Sequence, residues 1–97
     1  KTAYEIRLSL VGSEMCIRDR CVEVKSPSNT RAKTTLKVRE YFKSGVRLVW
    51  VVDPEERTVT VYRKPGRGEV FWEDDTITGE DVLHGFTCPV AEFFSEL

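Results

Sequence analysis

The chain has 97 residues, of which 40% are hydrophobic and 32% charged, and its net charge is −1. This length corresponds to one small domain, and the composition excludes a disordered tail and a membrane-spanning bundle, since no apolar run approaches the roughly 18 residues of a spanning helix. The three cysteines, at positions 16, 21 and 88, are too few for a disulfide scaffold or a Cys-x-x-Cys metal site. We therefore expect a cytoplasmic protein.

The first twenty residues differ in character from the rest. Two blocks, KTAYEI and LVGSEMCIRDR, resemble the conceptual translation of a sequencing-library adapter, and the three residues between them correspond to a short index. We interpret residues 1–20 as adapter-derived and not native, and residues 21–97 as the C-terminal part of a nuclease-like domain that has lost its N-terminal part. The alternative is a genuine strand, because apolar and polar residues alternate there.

A strand and a helix are predicted at the start of residues 21–97. Residues 21–25 form a short β-rich run that ends at a Ser-Pro-Ser-Asn turn. Asn29 or Thr30 can cap the following helix, because its side-chain oxygen can accept from amides of the first turn. Residues 31–44 contain no Gly or Pro, and Gly45 lies where a helix end favours positive φ. The predicted apolar stripe of the helix consists of Ala32, Leu36, Val38 and Tyr41.

The remaining residues predict a buried strand and an antiparallel extension. Residues 47–52 are almost continuously apolar, as in a strand buried on both faces. Asp53 is expected to cap the Asp-Pro turn that leads to an alternating strand at 58–62. A further strand at 69–72 and a terminal helix at 89–94 follow, with an acidic loop and a short strand at 76–77 between them. The aromatic residues expected in the core are Trp50, Tyr62, Phe71 and Trp72.

This order of elements predicts an α/β (α+β) fold: a mixed β-sheet with a crossover helix and a C-terminal antiparallel extension. The strand at 21–25 should run parallel to that at 47–52, and the strand at 58–62 antiparallel to it.

Charge is distributed unevenly along the chain. Residues 21–68 carry 11 basic and 5 acidic groups, whereas residues 69–97 carry eight acidic groups and no Lys or Arg. The first part could face a polyanion and the second could not. Residues 31–43 contain five basic groups and one acid, which is enough to contact DNA phosphates. The alternative is an ordinary solvated helix face.

Glu23 and Lys25 are the candidate chemical pair. Residues two apart on a strand share a face, so the carboxylate and the ammonium project together. A carboxylate is a hard oxygen ligand suited to Mg²⁺, and the pair could form half of a metal-dependent phosphodiesterase site. A solvent-facing ion pair between strands is the commoner meaning of an isolated Glu-x-Lys.

Five segments together carry a resemblance to a known family. Three of them are EVKSPS at 23–28, K-x-x-x-Y-x-x-x-GV at 37–46 and VWVVDP at 49–54, and two more, GEDVLHGF and PVAEFF, lie near the C-terminus. Together they resemble the Uma family of restriction-endonuclease-like proteins, within the PD-(D/E)xK nuclease-like superfamily. The resemblance covers essentially all of residues 21–97.

The resemblance implies a restriction-endonuclease-like core and a role for three residues. Glu23 matches the acidic metal ligand on the third core strand, Lys25 matches the lysine of the motif, and Lys37 matches a helix lysine that could approach a phosphate. The Asp of the family's Pro-Asp element lies upstream of Glu23, on a strand that is missing here. Asp19 belongs to the adapter-like segment and is not counted as its replacement.

We therefore expect a fragment of an Mg²⁺-dependent endonuclease that hydrolyses DNA. The fragment should be inactive in this truncated form, and its intact parent could be a homodimer. One alternative is a catalytically silent nuclease-fold module that binds DNA or a protein. Another is a plain globular domain with a structural ion pair.

Overall fold

The computed structural model describes residues 20–25, 30–80 and 85–94, together with the backbone of residues 14–17. The described residues form two sheets and two helices. The larger sheet contains, in spatial order, β1 (Glu14–Ile17), β2 (Arg20–Val24), β3 (Leu48–Asp53), β4 (Thr58–Tyr62) and β5 (Glu69–Phe71). The smaller sheet pairs β6 (Thr76–Thr78) with β7 (Thr87–Pro89), and the helices are α1 (Arg31–Lys43) and a 3₁₀ helix (Val90–Phe94).

The larger sheet is mixed, as predicted. Strand β2 runs parallel to β3, with Glu23 opposite Val51, and α1 forms the crossover between the two strands. Strand β4 is antiparallel to both β3 and β5. The predicted mixed sheet, crossover helix and antiparallel extension are confirmed.

Local capping explains where α1 begins and ends. Thr30 Oγ1 accepts a hydrogen bond of 3.1 Å from the amide of Lys33, which satisfies one of the unpaired donors of the first turn. Gly45, at a φ of 96°, follows the helix in the conformation that glycine adopts most readily. Asn29, the other candidate cap, lies outside the described residues.

The predicted apolar stripe of α1 is partly wrong. Leu36 is 57% exposed, whereas Thr34 and Val38 are buried and Tyr41 is half-buried. Positions 34, 38 and 41 follow the helical repeat and lie on one face, and position 36 falls on the opposite side. The position of each residue around the helix therefore outweighs its hydrophobicity.

The larger sheet is covered on both faces. Cys21, Val49 and Val51 face α1, with Val38 of the helix packed on them. Successive residues of a strand point to opposite faces. The alternate residues of β2 and β3 therefore form a second core layer with the C-terminal elements. This cluster includes Val22, Val24, Trp50, Val52, Phe93 and Phe94. Cys21 is disulfide-bonded, which the sequence analysis did not predict.

The C-terminal part differs from the prediction in three ways. Strand β7 was not predicted, and the terminal helix is a short 3₁₀ segment. Trp72 is 54% exposed and not part of the core, because it follows β5 at the sheet edge, where its amide donates to Asp75 Oδ2 at 2.8 Å. Trp50 is fully buried as expected, with its ring 5.3 Å from that of Phe86.

Candidate active site

Glu23 lies in β2 with its carboxylate buried beneath α1. The residue is 3% exposed, although a carboxylate is rarely buried without partners. Tyr41 Oη donates a hydrogen bond of 2.9 Å to Oε1, and Lys37 Nζ donates one of 3.3 Å to Oε2. Both carboxylate oxygens are thus bonded to side chains of the crossover helix.

The spacing of Lys37 and Tyr41 explains how α1 supplies both partners. Residues four apart lie one above the other on a helix surface, and Thr34 and Val38 show that this surface faces the sheet. The structure therefore brings Lys37 to Glu23. Tyr41 was not predicted as a site residue, although its four-residue spacing from Lys37 was a signal that could have identified it.

Lys25 lies beyond the end of β2 and has a different partner. Its amide donates to the carbonyl oxygen of Val52 at 2.8 Å, which continues the pairing with β3. Its Nζ lies 3.5 Å from Asp53 Oδ2, and about a third of its side chain is exposed. Lys25 and Glu23 are thus neighbours along β2 that are held by two separate ion pairs, Lys25–Asp53 and Lys37–Glu23.

Asp53 combines two roles. Its Oδ1 accepts hydrogen bonds from the amides of Glu55 and Glu56, at 3.0 and 3.2 Å, which confirms the predicted cap of the Asp-Pro turn. Its Oδ2 faces Lys25. The turn thereby holds the carboxylate in position beside the lysine.

The residues described here do not form a metal site by themselves. Mg²⁺ prefers six oxygen ligands in octahedral geometry, and in the part of the chain that the structure describes no three His, Cys, Asp or Glu side chains are placed so that they could hold a metal ion together. The Glu23 carboxylate faces α1 and not solvent, because its side chain is 4% exposed and its two oxygens accept hydrogen bonds from Lys37 and Tyr41. Asp19 lies outside the described residues.

Burial or hydrogen bonding shifts the pKa values of three arginines and one glutamate. Burial lowers the pKa of Arg20, which is 6% exposed and whose guanidinium lies 5.6 Å from the centroid of the Trp50 ring. A hydrogen bond with Glu73 raises the pKa of Arg57 and lowers that of the carboxylate. The pKa of Arg63 is also raised, chiefly by its hydrogen bond with Glu80.

Comparison with known proteins identifies the family. The family model Uma2, described as "Putative restriction endonuclease", matches residues 19–91. The chain belongs to the Uma2 family. The resemblance of its motifs to that family is thereby confirmed.

A solved structure supports the membership of the Uma2 family. The chain is similar to the crystal structure of a "putative nuclease belonging to DUF820" from Anabaena variabilis, with 28% sequence identity and a TM-score of 0.70. The similarity covers 84% of this chain but 46% of that one, so the chain spans just under half the length of its structural relative. A search of curated proteins found no significant match. No helix in the described ranges is both long and apolar enough to cross a bilayer.

Proposed function

We propose that the parent of this chain is an Mg²⁺-dependent endonuclease that hydrolyses DNA phosphodiester bonds, with Glu23, Lys25 and Lys37 in its active site. The observation that carries the proposal is the buried Glu23 carboxylate, held by Lys37 in a member of the Uma2 family. A solvent-facing ion pair between strands does not describe this arrangement, because Glu23 is 3% exposed and its partners come from a helix.

The two lysines have different proposed roles. Lys25 is partly exposed at the end of β2, where its ammonium can approach a phosphate and stabilise negative charge that develops in the reaction. Lys37 bonds to Glu23 while about half of its side chain remains exposed. It therefore fixes the carboxylate and can also approach a phosphate.

The proposed metal would need a second carboxylate, which we propose comes from a strand of the parent upstream of residue 21. An ionised carboxylate offers about four lone-pair positions, and the bonds from Tyr41 and Lys37 use two of those on Glu23. The remaining positions could contribute to an Mg²⁺ site shared with an upstream Asp. The described residues supply one of those ligands, Glu23, which supports the proposal that the chain is inactive as it stands.

The proposed partner is DNA, approached by the basic part of the chain. Helix α1 has no acidic residue in its first turn and ends with Lys43. We propose a homodimer for the intact parent as well, by analogy with the superfamily alone.

A binding module without catalytic activity is the second candidate. It is favoured by one observation, namely that both oxygens of Glu23 already have protein partners. In such a module the contacts of Glu23 with α1 would be purely structural.

Residues 1–20 are proposed to be adapter-derived. This is supported by the Uma2 match, which leaves residues 1–18 outside the family model, and by the burial of the Arg20 charge against Trp50 in a core layer that is otherwise apolar. The source sequence upstream of Cys21 tests the proposal directly. It should encode an Asp-bearing strand in place of the adapter-like residues.

A plasmid-nicking assay tests the proposed function. The proteins are this chain and its parent with the upstream segment restored, here called the restored parent. We expect Mg²⁺-dependent nicking by the restored parent, none in chelator, and none by this chain. A binding module would bind DNA equally well with and without chelator and would nick in neither form.

A further inference from the structure

A groove lies beside Lys25, on the face of the sheet that α1 only partly covers. Its volume is about 500 Å³, and it runs from the first turns of α1 across β4 to the loop before β5. Gly68 forms part of its wall. A Cβ at this position would lie 2.5 Å from Thr60 Cγ2 and 2.9 Å from the ring of Tyr62. The close approach of this loop to β4 therefore requires glycine.

The groove carries an excess of positive charge. Lys25, Arg31 and Arg67 line it together with a single carboxylate, that of Asp53, which is paired with Lys25. Within the described ranges neither arginine has an acidic partner, and both are exposed. Two guanidinium groups that line the groove are thus available to an anion.

Residues with hydroxyl groups make up five of the nine other lining residues, namely Thr34, Thr35, Thr58, Thr60 and Tyr62. The Thr35 hydroxyl already donates to the carbonyl oxygen of Arg31, which leaves the other four as donors. A hydroxyl can donate to a phosphate oxygen, and arginine presents a planar fork of donors that matches phosphate geometry. The first turn of α1 adds to this attraction, since the positive end of the helix has no acidic residue to offset it.

We propose that the groove binds the phosphate backbone of one nucleic-acid strand, with Arg31 and Arg67 as anchors, alongside the Glu23–Lys25 site. The identification of the ligand as a nucleic-acid strand rests on the proposed function. The size of the groove favours a single strand over a duplex, because about 500 Å³ is the volume of a small-ligand cleft. Lys25 lines the groove and lies two residues from Glu23 along the chain, so it would connect the two sites.

The test measures binding of the full chain to a labelled single-stranded oligothymidylate by fluorescence anisotropy, in chelator and over a range of salt concentrations. The groove variant is Arg31→Gln/Arg67→Gln. The matched control, Arg39→Gln/Lys64→Gln, removes the same charge from exposed positions of α1 and the loop after β4 that do not line the groove. Circular dichroism confirms that both variants fold.

We expect the groove variant to flatten the plot of log K against log salt by about 1.4, since each phosphate contact on a single strand contributes about 0.7 to the slope. The control should keep the slope of the unmodified chain. Equal slopes for both variants would overturn the proposal. Complete displacement of the oligonucleotide by inorganic phosphate, at a concentration equal to that of the oligonucleotide's own phosphate groups, would also overturn it. The binding measurement is made in chelator and does not depend on cleavage. Failure of the restored parent to nick DNA would therefore count against the proposed function and not against binding in the groove.

Discussion

The hydroxyl of Tyr41 donates a hydrogen bond of 2.9 Å to Oε1 of Glu23, across the interface between the crossover helix and the sheet. Tyr41 also packs against a cluster of buried hydrophobic residues that includes Val38 and Val51. A hydrogen bond in apolar surroundings is strong, and a buried polar group that loses its partner there is costly. It therefore fixes the orientation of the carboxylate and the position of the helix at the same time.

Replacement of Tyr41 by Phe should destabilise the protein. The variant removes a hydrogen bond to a buried charged acceptor, so the free energy of unfolding should fall by about 1.5–3 kcal/mol. Urea unfolding monitored by circular dichroism measures the change. Tyr62→Phe is the matched control, because no hydrogen bond of the Tyr62 hydroxyl occurs among the described residues. Similar stabilities for both variants would show that the Tyr41–Glu23 bond contributes nothing.

Replacement of Arg20 by Met should stabilise the protein. Burial lowers the pKa of Arg20, so its charged form is less favourable in the folded chain than in water. Met keeps an unbranched side chain against Trp50 without the charge, and we expect a gain on the order of 1 kcal/mol in the free energy of unfolding. Arg39→Met, at an exposed position, should change stability by less than about 0.5 kcal/mol. A clear loss of stability in Arg20→Met would contradict this account of the buried charge.

The Arg57–Glu73 pair should respond to pH in a defined direction. Nε and Nη2 of Arg57 donate to the two carboxylate oxygens, at 2.7 and 3.1 Å, and lower the pKa of Glu73 from its ordinary value of 4.5. A lowered folded-state pKa means that the stabilisation is present above the unfolded value and is lost as the pH falls through the folded value. In Arg57→Gln, the carboxyl pKa measured by NMR titration should return towards 4.5. Arg67→Gln is the control and should leave the pKa low, and an unchanged pKa in Arg57→Gln would disprove the attribution.

Replacement of Lys25 by Ala should slow Mg²⁺-dependent nicking by the restored parent by about 10²–10³-fold, the usual cost of removing one charge-stabilising donor. Folding should be preserved, because Lys25 is partly exposed and its partner Asp53 still caps its own turn. Initial nicking rates measure the effect. Lys33→Ala, at an exposed position of α1, should nick like the unmodified protein. Equal rates for the two variants would remove Lys25 from the proposed site.

Local patterns were sufficient to predict much of the fold. The apolar run of β3, the alternation in β4 and the Thr30 cap depend on neighbouring residues, and the structure confirms all three. Strand β7 was missed because Thr87–Pro89 is only three residues long, too short to show a strand period, and it becomes a strand through pairing with β6. Trp72 was misplaced because hydrophobicity does not indicate that its strand has ended at the sheet edge.

The candidate site was harder to predict from the sequence than the fold. The strand period places Glu23 and Lys25 next to each other, but it does not show which residues of α1 lie over them. The burial of Glu23 and its bond with Tyr41 arise from how the helix packs on the sheet, which depends on Thr34 and Val38 rather than on the expected Leu36. Partners that come together through tertiary packing are therefore the part that sequence patterns do not provide.

The most direct test of the central claim compares Glu23→Gln with Glu40→Gln in the restored parent, using plasmid nicking with Mg²⁺ and with chelator. Gln at position 23 keeps the shape of the side chain and can still accept from Tyr41, but it removes the charge needed to hold a metal. Glu40 is an exposed carboxylate of α1 and controls for loss of an acidic group. We predict that Glu23→Gln abolishes Mg²⁺-dependent nicking while Glu40→Gln retains it. Undiminished nicking by the Glu23→Gln protein would contradict the assignment of this site as the active site.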